Sequence, residues 1–405
     1  MHRFTLHALI AFALPVAAGS QSVPRQTEAD AYTRYELLAP GSAKFKIIYE
    51  VTATTAGARY YFNPIRKGSI ATDETVFDRA TGKPLVFDVV GQAVASGNGV
   101  PGRDSTQMYI RVTLTHPVPT NGGEARVLIV KTYEDPKSYY MLGDTIVFTR
   151  GLGIKRNAVV LPAGYELATS SFPSQVLQEA DGRVGISFWN NTPSEAAVTM
   201  RAVPTRGLRA ATSAVAARLD ERAHQNREIV YDLQQPETHA FALYHDYTES
   251  RAGTSVYINE VRAGSSVSKP SARNLDTGDT LVWQVLKGNA ITQAGLDVKN
   301  VTPSSEVVAF RFPAVQAGQS TRIRMFETYT DSARYTLVGD ELVWDRSFGR
   351  PSNIVILPAG WMLANSSIPA TVSTQPDGRV RLEFINPRPD EIAVLITARR
   401  RTPSR

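Results

Sequence analysis

Apolar and polar residues alternate with a period of two along most of this chain. Phe45, Ile47, Tyr49 and Val51 alternate with Lys44, Lys46, Ile48 and Glu50, and Ile110, Val112 and Leu114 alternate with Tyr109, Arg111 and Thr113. Successive side chains of a strand point to opposite faces, so this pattern predicts strands with one buried face. The runs are short and end in turn-forming residues: Thr81-Gly82, Asn98-Gly99, Asn121-Gly122-Gly123, Gly143-Asp144 and Asp181-Gly182. Glycine accepts the backbone angles a tight turn needs, and Asn or Asp bonds its own backbone. About ten such strands with no long helical stretch between them fit an antiparallel β-sandwich. Leu161-Pro162-Ala163-Gly164 is expected to close one strand and open the next, because proline blocks ladder pairing and glycine permits a bend.

The pattern is written twice. Tyr35-Glu36-Leu37 returns as Tyr231-Asp232-Leu233, and Leu161-Pro162-Ala163-Gly164 as Leu357-Pro358-Ala359-Gly360, both 196 residues later. Tyr61, Asn63, Arg66, Gly68 and Ser69 are matched by Tyr257, Asn259, Arg262, Gly264 and Ser265. Thr132-Tyr133-x-Asp135 pairs with Thr328-Tyr329-x-Asp331, and Asp181-Gly182-Arg183-Val184 with Asp377-Gly378-Arg379-Val380. A period this long marks a tandem of whole domains, not a solenoid of short units. The expected domains are residues 32–204 and 229–401. Between them, in 205–228, Leu208, Ala211, Val215 and Leu219 fall on one helical face behind Pro204-Thr205. The expected fold is all-β: two antiparallel β-sandwich domains, duplicated in tandem and joined by a short helical linker.

Residues 1–18 have the parts of a secretory signal peptide. His2 and Arg3 precede an apolar run from Ala8 to Ala18, and Val16 and Ala18 are small residues ahead of a cleavage point at Gly19. The run is shorter than the roughly 20 residues a bilayer-crossing helix needs, and no transmembrane segment is expected after cleavage. Cysteine is absent. That excludes disulfides, thiolate metal sites, cysteine nucleophiles and cysteine-linked lipid anchors. An exported chain of this kind fits a secreted or periplasmic bacterial protein. The net charge is +6, with Arg399, Arg400, Arg401 and Arg405 clustered at the C-terminus. No aromatic residues interleave these arginines, so they read as a solvated end, and no nucleic-acid partner is expected.

Motifs for catalysis are scarce. Gly97-Asn98-Gly99-Val100-Pro101-Gly102 has dinucleotide-loop spacing, but Met108 to Val112 read as a strand, not as the helix whose N-terminus receives a pyrophosphate. His116, His224, His239 and His245 make no zinc-peptidase pair, and no Gly-x-Ser-x-Gly elbow is present. No cofactor and no metal site is expected. What the repeats share is polar and aromatic. Tyr133, Asp135 and Tyr139, with Tyr329, Asp331 and Tyr335, can grip a sugar ring, or cap a turn and fill the core edge. Asn63 and Arg66, with Asn259 and Arg262, can read a carboxylate through the arginine fork, or tie their loop to its own backbone. Arg150 and Arg346 pose the same choice. These are candidate ligand-binding residues, and none is assigned a catalytic role. The matched pairs Asp135/Asp331, Asp144/Asp340, Asp181/Asp377 and Glu195/Glu391 keep glycoside hydrolysis open, since it needs two carboxylates about 5–10 Å apart in a cleft.

Tyr35-x-Leu37-x-x-Pro40, placed ahead of a strand, resembles in a general way the β-rich N-terminal modules of some large peptidases. The resemblance implies a fold and, without a catalytic domain, no activity. The sequence therefore leads to an exported non-catalytic binding or scaffold protein of the bacterial cell envelope or extracellular space, with carbohydrate or protein as partner. Two similar domains raise avidity where both engage one ligand, and strand edges offer docking by strand addition. The alternative is a glycan-active hydrolase using paired carboxylates.

Overall fold

A computed structural model describes residues 23–192, 194–206 and 219–401. The first repeat opens with β1 (Glu28–Leu37), β2 (Lys44–Ala53), β3 (Tyr60–Pro64), β4 (Ile70–Asp78), β5 (Phe87–Gly91), β6 (Met108–Thr113) and β7 (Ala125–Glu134). It continues with β8 (Tyr139–Leu142), β9 (Thr145–Leu152), β10 (Arg156–Val160), β11 (Tyr165–Ser170), β12 (Gln175–Gln178), β13 (Val184–Trp189) and β14 (Ala196–Pro204). Fourteen strands in the same order run from Arg227 to Arg400 and form the second repeat. The protein is all-β in two like halves. No described helix is long and apolar enough to cross a membrane.

Each repeat holds three sheets. In repeat 1 they are a seven-stranded sheet in the order β12-β13-β10-β1-β2-β7-β4, a four-stranded sheet β11-β14-β9-β8, and a three-stranded sheet β3-β6-β5. One apolar core joins all three, through Phe45 and Ile129 of the large sheet, Phe148 and Met200 of the second, and Tyr61 and Val112 of the third. The alternation sets this layering: β2 buries Phe45, Ile47, Tyr49 and Val51, all at 5% exposure or less. The pairing is antiparallel with one departure in each repeat. β1 and β10 run parallel, as do Arg227–Leu233 and Ser352–Ile356. Parallel neighbours need a long crossover, and here the chain between β1 and β10 builds most of the other two sheets.

Most of the expected helical linker falls outside the described residues. Leu208, Ala211 and Val215 fall in 207–218, and these, like the leader 1–18 and Arg405, lie outside the described residues. Residues 219–226 hold a turn and no helix, and Leu219 is 48% exposed. The cause is polar anchoring. Arg222 donates to the carbonyls of Asn386 (3.3 Å) and Gly349 (3.1 Å), and Arg156 donates to the Ala223 carbonyl at 2.7 Å. Those bonds pin the segment between the repeats. Arg399 and Arg400 are likewise strand residues and not a free tail; Arg400 lies 4.7 Å over the Trp361 ring and pairs with Glu237.

The repeats meet through like surfaces. Arg126 forks onto Asp276 at 2.6 and 2.9 Å, and its counterpart Arg322 lies 3.4 Å from both Glu124 and Asp246. The Glu124 N–H donates to the Leu275 carbonyl (2.6 Å) and the Ser320 N–H to the Ala80 carbonyl (3.0 Å). Glu124 and Ser320 are matched positions. The same patch from each side makes the contact, as in a two-fold dimer.

Candidate functional site

The two smaller sheets of repeat 1 share the inner face of the large one, and a cleft of about 810 Å³ opens between them. Its floor is Tyr35 from β1, Tyr49 from β2, and Lys131 and Tyr133 from β7. Tyr61 and Asn63 from β3 form one wall, and Arg150 and Gly151 from β9 form the other. Val100 and Pro101, inside the glycine-rich run, line the rim with Arg66 and Glu195. That run leads into β6, so it carries no helix N-terminus for a nucleotide.

Lys131 stands out on this floor. β7 buries Val127, Ile129, Lys131 and Tyr133 in strict alternation, so a cation occupies an apolar position. The residue is 4% exposed, and its ammonium donates to Asn63 Oδ1 at 2.6 Å and lies 4.9 Å over the Tyr133 ring. An ammonium has three N–H groups. The other two meet no protein acceptor, and no carboxylate pairs with Lys131 among the described residues. Burial pulls the amine down to about 8; Glu74 acts against this and Arg150 adds repulsion.

Arg150 is held from behind. Its Nη1 donates to Asp135 Oδ2 at 3.0 Å and Ser138 Oγ at 3.2 Å, and its guanidinium lies 5.4 Å from the Phe45 ring centre. Asp135 also accepts the Ser138 hydroxyl (2.7 Å), the Ser69 hydroxyl (3.3 Å) and the Lys137 N–H (3.1 Å). Burial pushes the Asp135 carboxyl up, but the Ser138 bonds and the Arg150 charge outweigh it and hold the carboxyl below its usual range. Tyr139 donates to the Leu38 carbonyl at 2.8 Å. The Tyr-x-Asp motif is thus a bracket that positions Arg150. Of the repeat 1 candidates, Asn63, Arg66, Tyr133 and Arg150 line the cleft, while Asp135 and Tyr139 sit behind it.

Repeat 2 keeps the frame and fills the space. Asp331 takes Arg346 at 2.6 Å and Ser265 at 2.9 Å, and Tyr335 donates to the Gln234 carbonyl. Asn259 and Tyr329 hold the places of Asn63 and Tyr133, and Arg262 pairs with Glu391 at 3.2 Å. Among the cleft positions that differ, Glu327 stands for Lys131, His245 for Tyr49 and Arg350 for Ile154. Arg350 sends a guanidinium nitrogen to within 2.7 Å of His245 Nδ1 and 3.2 Å of the Tyr257 hydroxyl. Glu327 accepts from Asn259 Nδ2 at 2.5 Å, and burial raises its carboxyl to about 7. Burial, then the Arg350 charge, drives His245 well below the usual histidine range. The apolar core of repeat 2 accordingly falls into two clusters, one per smaller sheet.

The sequence pointed at the shared polar residues and passed over Lys131. Its signal was present: a charge in register with Val127, Ile129 and Tyr133, opposed in sign at the matched Glu327. A second cavity of about 480 Å³ lies between the repeats, where Glu50 is paired to Arg79 at 3.0 Å and lies 3.6 Å from His224. Among the described residues no three His, Cys, Asp or Glu side chains gather as metal ligands.

Neither a family model nor a curated protein matches the chain. The M1 zinc metallopeptidase of Deinococcus radiodurans aligns over 45% of this chain and 42% of its own, at 9% identity and a TM-score of 0.29. A form of that enzyme bound to a Tyr-Ser-Ala substrate aligns over 43% and 41%, at 10% identity and a TM-score of 0.28. A protein of Legionella pneumophila proposed to bind nutrients aligns over 45% and 68%, at 8% identity and a TM-score of 0.29. The chain spans about two-fifths of the length of the peptidases it matches. At these scores the likenesses carry no functional argument.

Proposed function

We propose that this chain is an exported, non-catalytic binding protein of the bacterial cell envelope or extracellular space, and that it holds a sugar ring in the cleft of repeat 1. One observation carries the proposal: the tyrosine-walled cleft is open in repeat 1, and its duplicate is filled by Arg350. Tyr35, Tyr49, Tyr61 and Tyr133 offer apolar faces for the C–H surface of a sugar and hydroxyls for its edge. Asn63, Lys131 and Arg66 add directed hydrogen-bonding groups. Because Arg350 takes up the matching space of repeat 2, avidity between the two domains plays no part. Asp135 and Asp331 lend the hydrolase alternative no support, because they are committed to Arg150 and Arg346. Export rests on the leader pattern and the absence of cysteine.

Saturation-transfer NMR on the full chain, with a panel of neutral and acidic monosaccharides and their oligomers, tests this. Transfer to a sugar is expected, and it should vanish in a Lys131→Glu/Ile154→Arg double variant that installs the repeat 2 pair. Transfer that persists in that variant would put the ligand elsewhere and end the proposal.

A further inference from the structure

We infer that the ligand of this cleft carries a carboxylate, seated against Lys131 and Arg150, as on a uronic-acid ring. The inference rests on the sugar-binding proposal above and names its ligand class.

The two repeats give the argument. In repeat 2 the inner-face charge is the anion Glu327, and the chain supplies a cation to the same space by placing Arg350 there. In repeat 1 the inner-face charge is inverted to Lys131, no carboxylate lies within ion-pair distance of it among the described residues, and Ile154 stands at the position matched to Arg350. A buried charge without a counter-charge is costly, and the surroundings normally provide one. Here the missing partner is an anion, and the cleft admits it from solvent. Two ammonium N–H groups of Lys131 have no acceptor among the described residues. Arg150 spends only Nη1 on Asp135 and Ser138, which leaves Nε and Nη2 without a hydrogen-bond acceptor among the described residues.

Geometry selects the anion. Lys131 and Arg150 both line the cleft, and Nε and Nη2 of Arg150 form a fork that matches the two oxygens of a carboxylate. The tyrosine walls and Asn63 then take the rest of the ring. A charge-assisted hydrogen bond of this kind changes affinity by about 10- to 100-fold.

Binding is also pH-dependent. The charged or titratable groups that act on Lys131 or line the cleft with it are Glu74 from β4, Arg150 from β9, Glu28 and Tyr35 from β1, Tyr49 from β2, Tyr61 from β3, Arg66 and Lys67 after it, Tyr109 from β6, Tyr133 on its own strand and Glu195 ahead of β14. The amine titrates near 8, so affinity for an acidic sugar is flat below that pH and falls about tenfold per unit above it.

The test is calorimetric titration of the full chain with D-glucuronate against D-glucose, and D-galacturonate against D-galactose, at pH 6.5 and 9.5. Lys131→Met serves as the variant, since it keeps the volume and removes a buried charge. At pH 6.5 the wild type should prefer one acidic sugar to its neutral twin at least tenfold. That preference should disappear in Lys131→Met and shrink at pH 9.5. Equal affinity for the acidic and neutral twins, or a preference that survives in Lys131→Met, overturns the carboxylate inference and leaves the cleft proposal standing. Binding of none of the four sugars overturns both.

Discussion

Lys131 and Glu327 occupy one position of one fold with opposite charge, and each shows what burial does to an ionisable group. For Lys131 the folded amine titrates near 8 against 10.5 when exposed. Folding then disfavours the proton, so the penalty is full below about pH 8 and fades as pH rises toward 10.5. A shift of that size corresponds to at most about 3 kcal/mol. Lys131→Met is therefore expected to be more stable than wild type at pH 7 by about 1–3 kcal/mol, with the gap closing near pH 10 in urea melts. For Glu327 the folded carboxyl titrates near 7 against 4.5. Its penalty is absent below about pH 4.5 and full above 7, so Glu327→Gln should stabilise the protein at pH 8 and be neutral at pH 4. Equal stability changes at both pH values would contradict a buried, strained carboxyl. Asp135 is a different case. Asp135→Ala leaves Arg150 buried without its counter-charge, and a loss of about 3–5 kcal/mol is expected in the same melts.

At the scale of the element, alternation made much of the fold legible. β2 and β7 bury the residues the period of two selects, and Leu161–Gly164 does join β10 to β11. Fourteen strands were found per repeat where about ten were expected, because β8 and β12 have only four residues each and show no period. The parallel pairing of β1 with β10 was not legible either, since partner choice across the large sheet is set by crossover geometry and not by local pattern. The site was half legible. Shared Asn63, Arg66, Tyr133 and Arg150 marked its lining, but duplication also conserves brackets such as Asp135 and Tyr139. The working feature was a difference between the copies. Gly151 in β9 shows a second such difference: a Cβ there would lie 2.3 Å from Glu195 Oε2, whereas repeat 2 has Ser347 bonded to Glu391. Glu195 is flexible at that end, so Gly151→Ser should cost less than about 1 kcal/mol and swing Glu195 aside. Thermal melts would check the cost; a large loss would mean Glu195 is fixed.

At the scale of the molecule, the duplication built an internal two-fold contact and left the copies free to diverge behind it. Arg126 and Asp276 are buried between the repeats, at 7% and 8% exposure. Arg126→Ala leaves Asp276 unpaired and should cost about 3–5 kcal/mol, with one unfolding transition separating into two in scanning calorimetry. A single transition at an unchanged midpoint would show that the pair does not couple the repeats. Behind that contact, repeat 2 places Arg350 in the space beside Glu327, bonded to His245 and Tyr257, and stays a filled scaffold. Repeat 1 leaves Lys131 for an outside partner. The most direct test of this asymmetry is the stoichiometry of calorimetric binding of the acidic sugar to the full chain. One site per chain is expected, reduced to none by Lys131→Glu/Ile154→Arg and unchanged by Arg350→Ile. Two equal sites, or one site indifferent to the double variant, would contradict it.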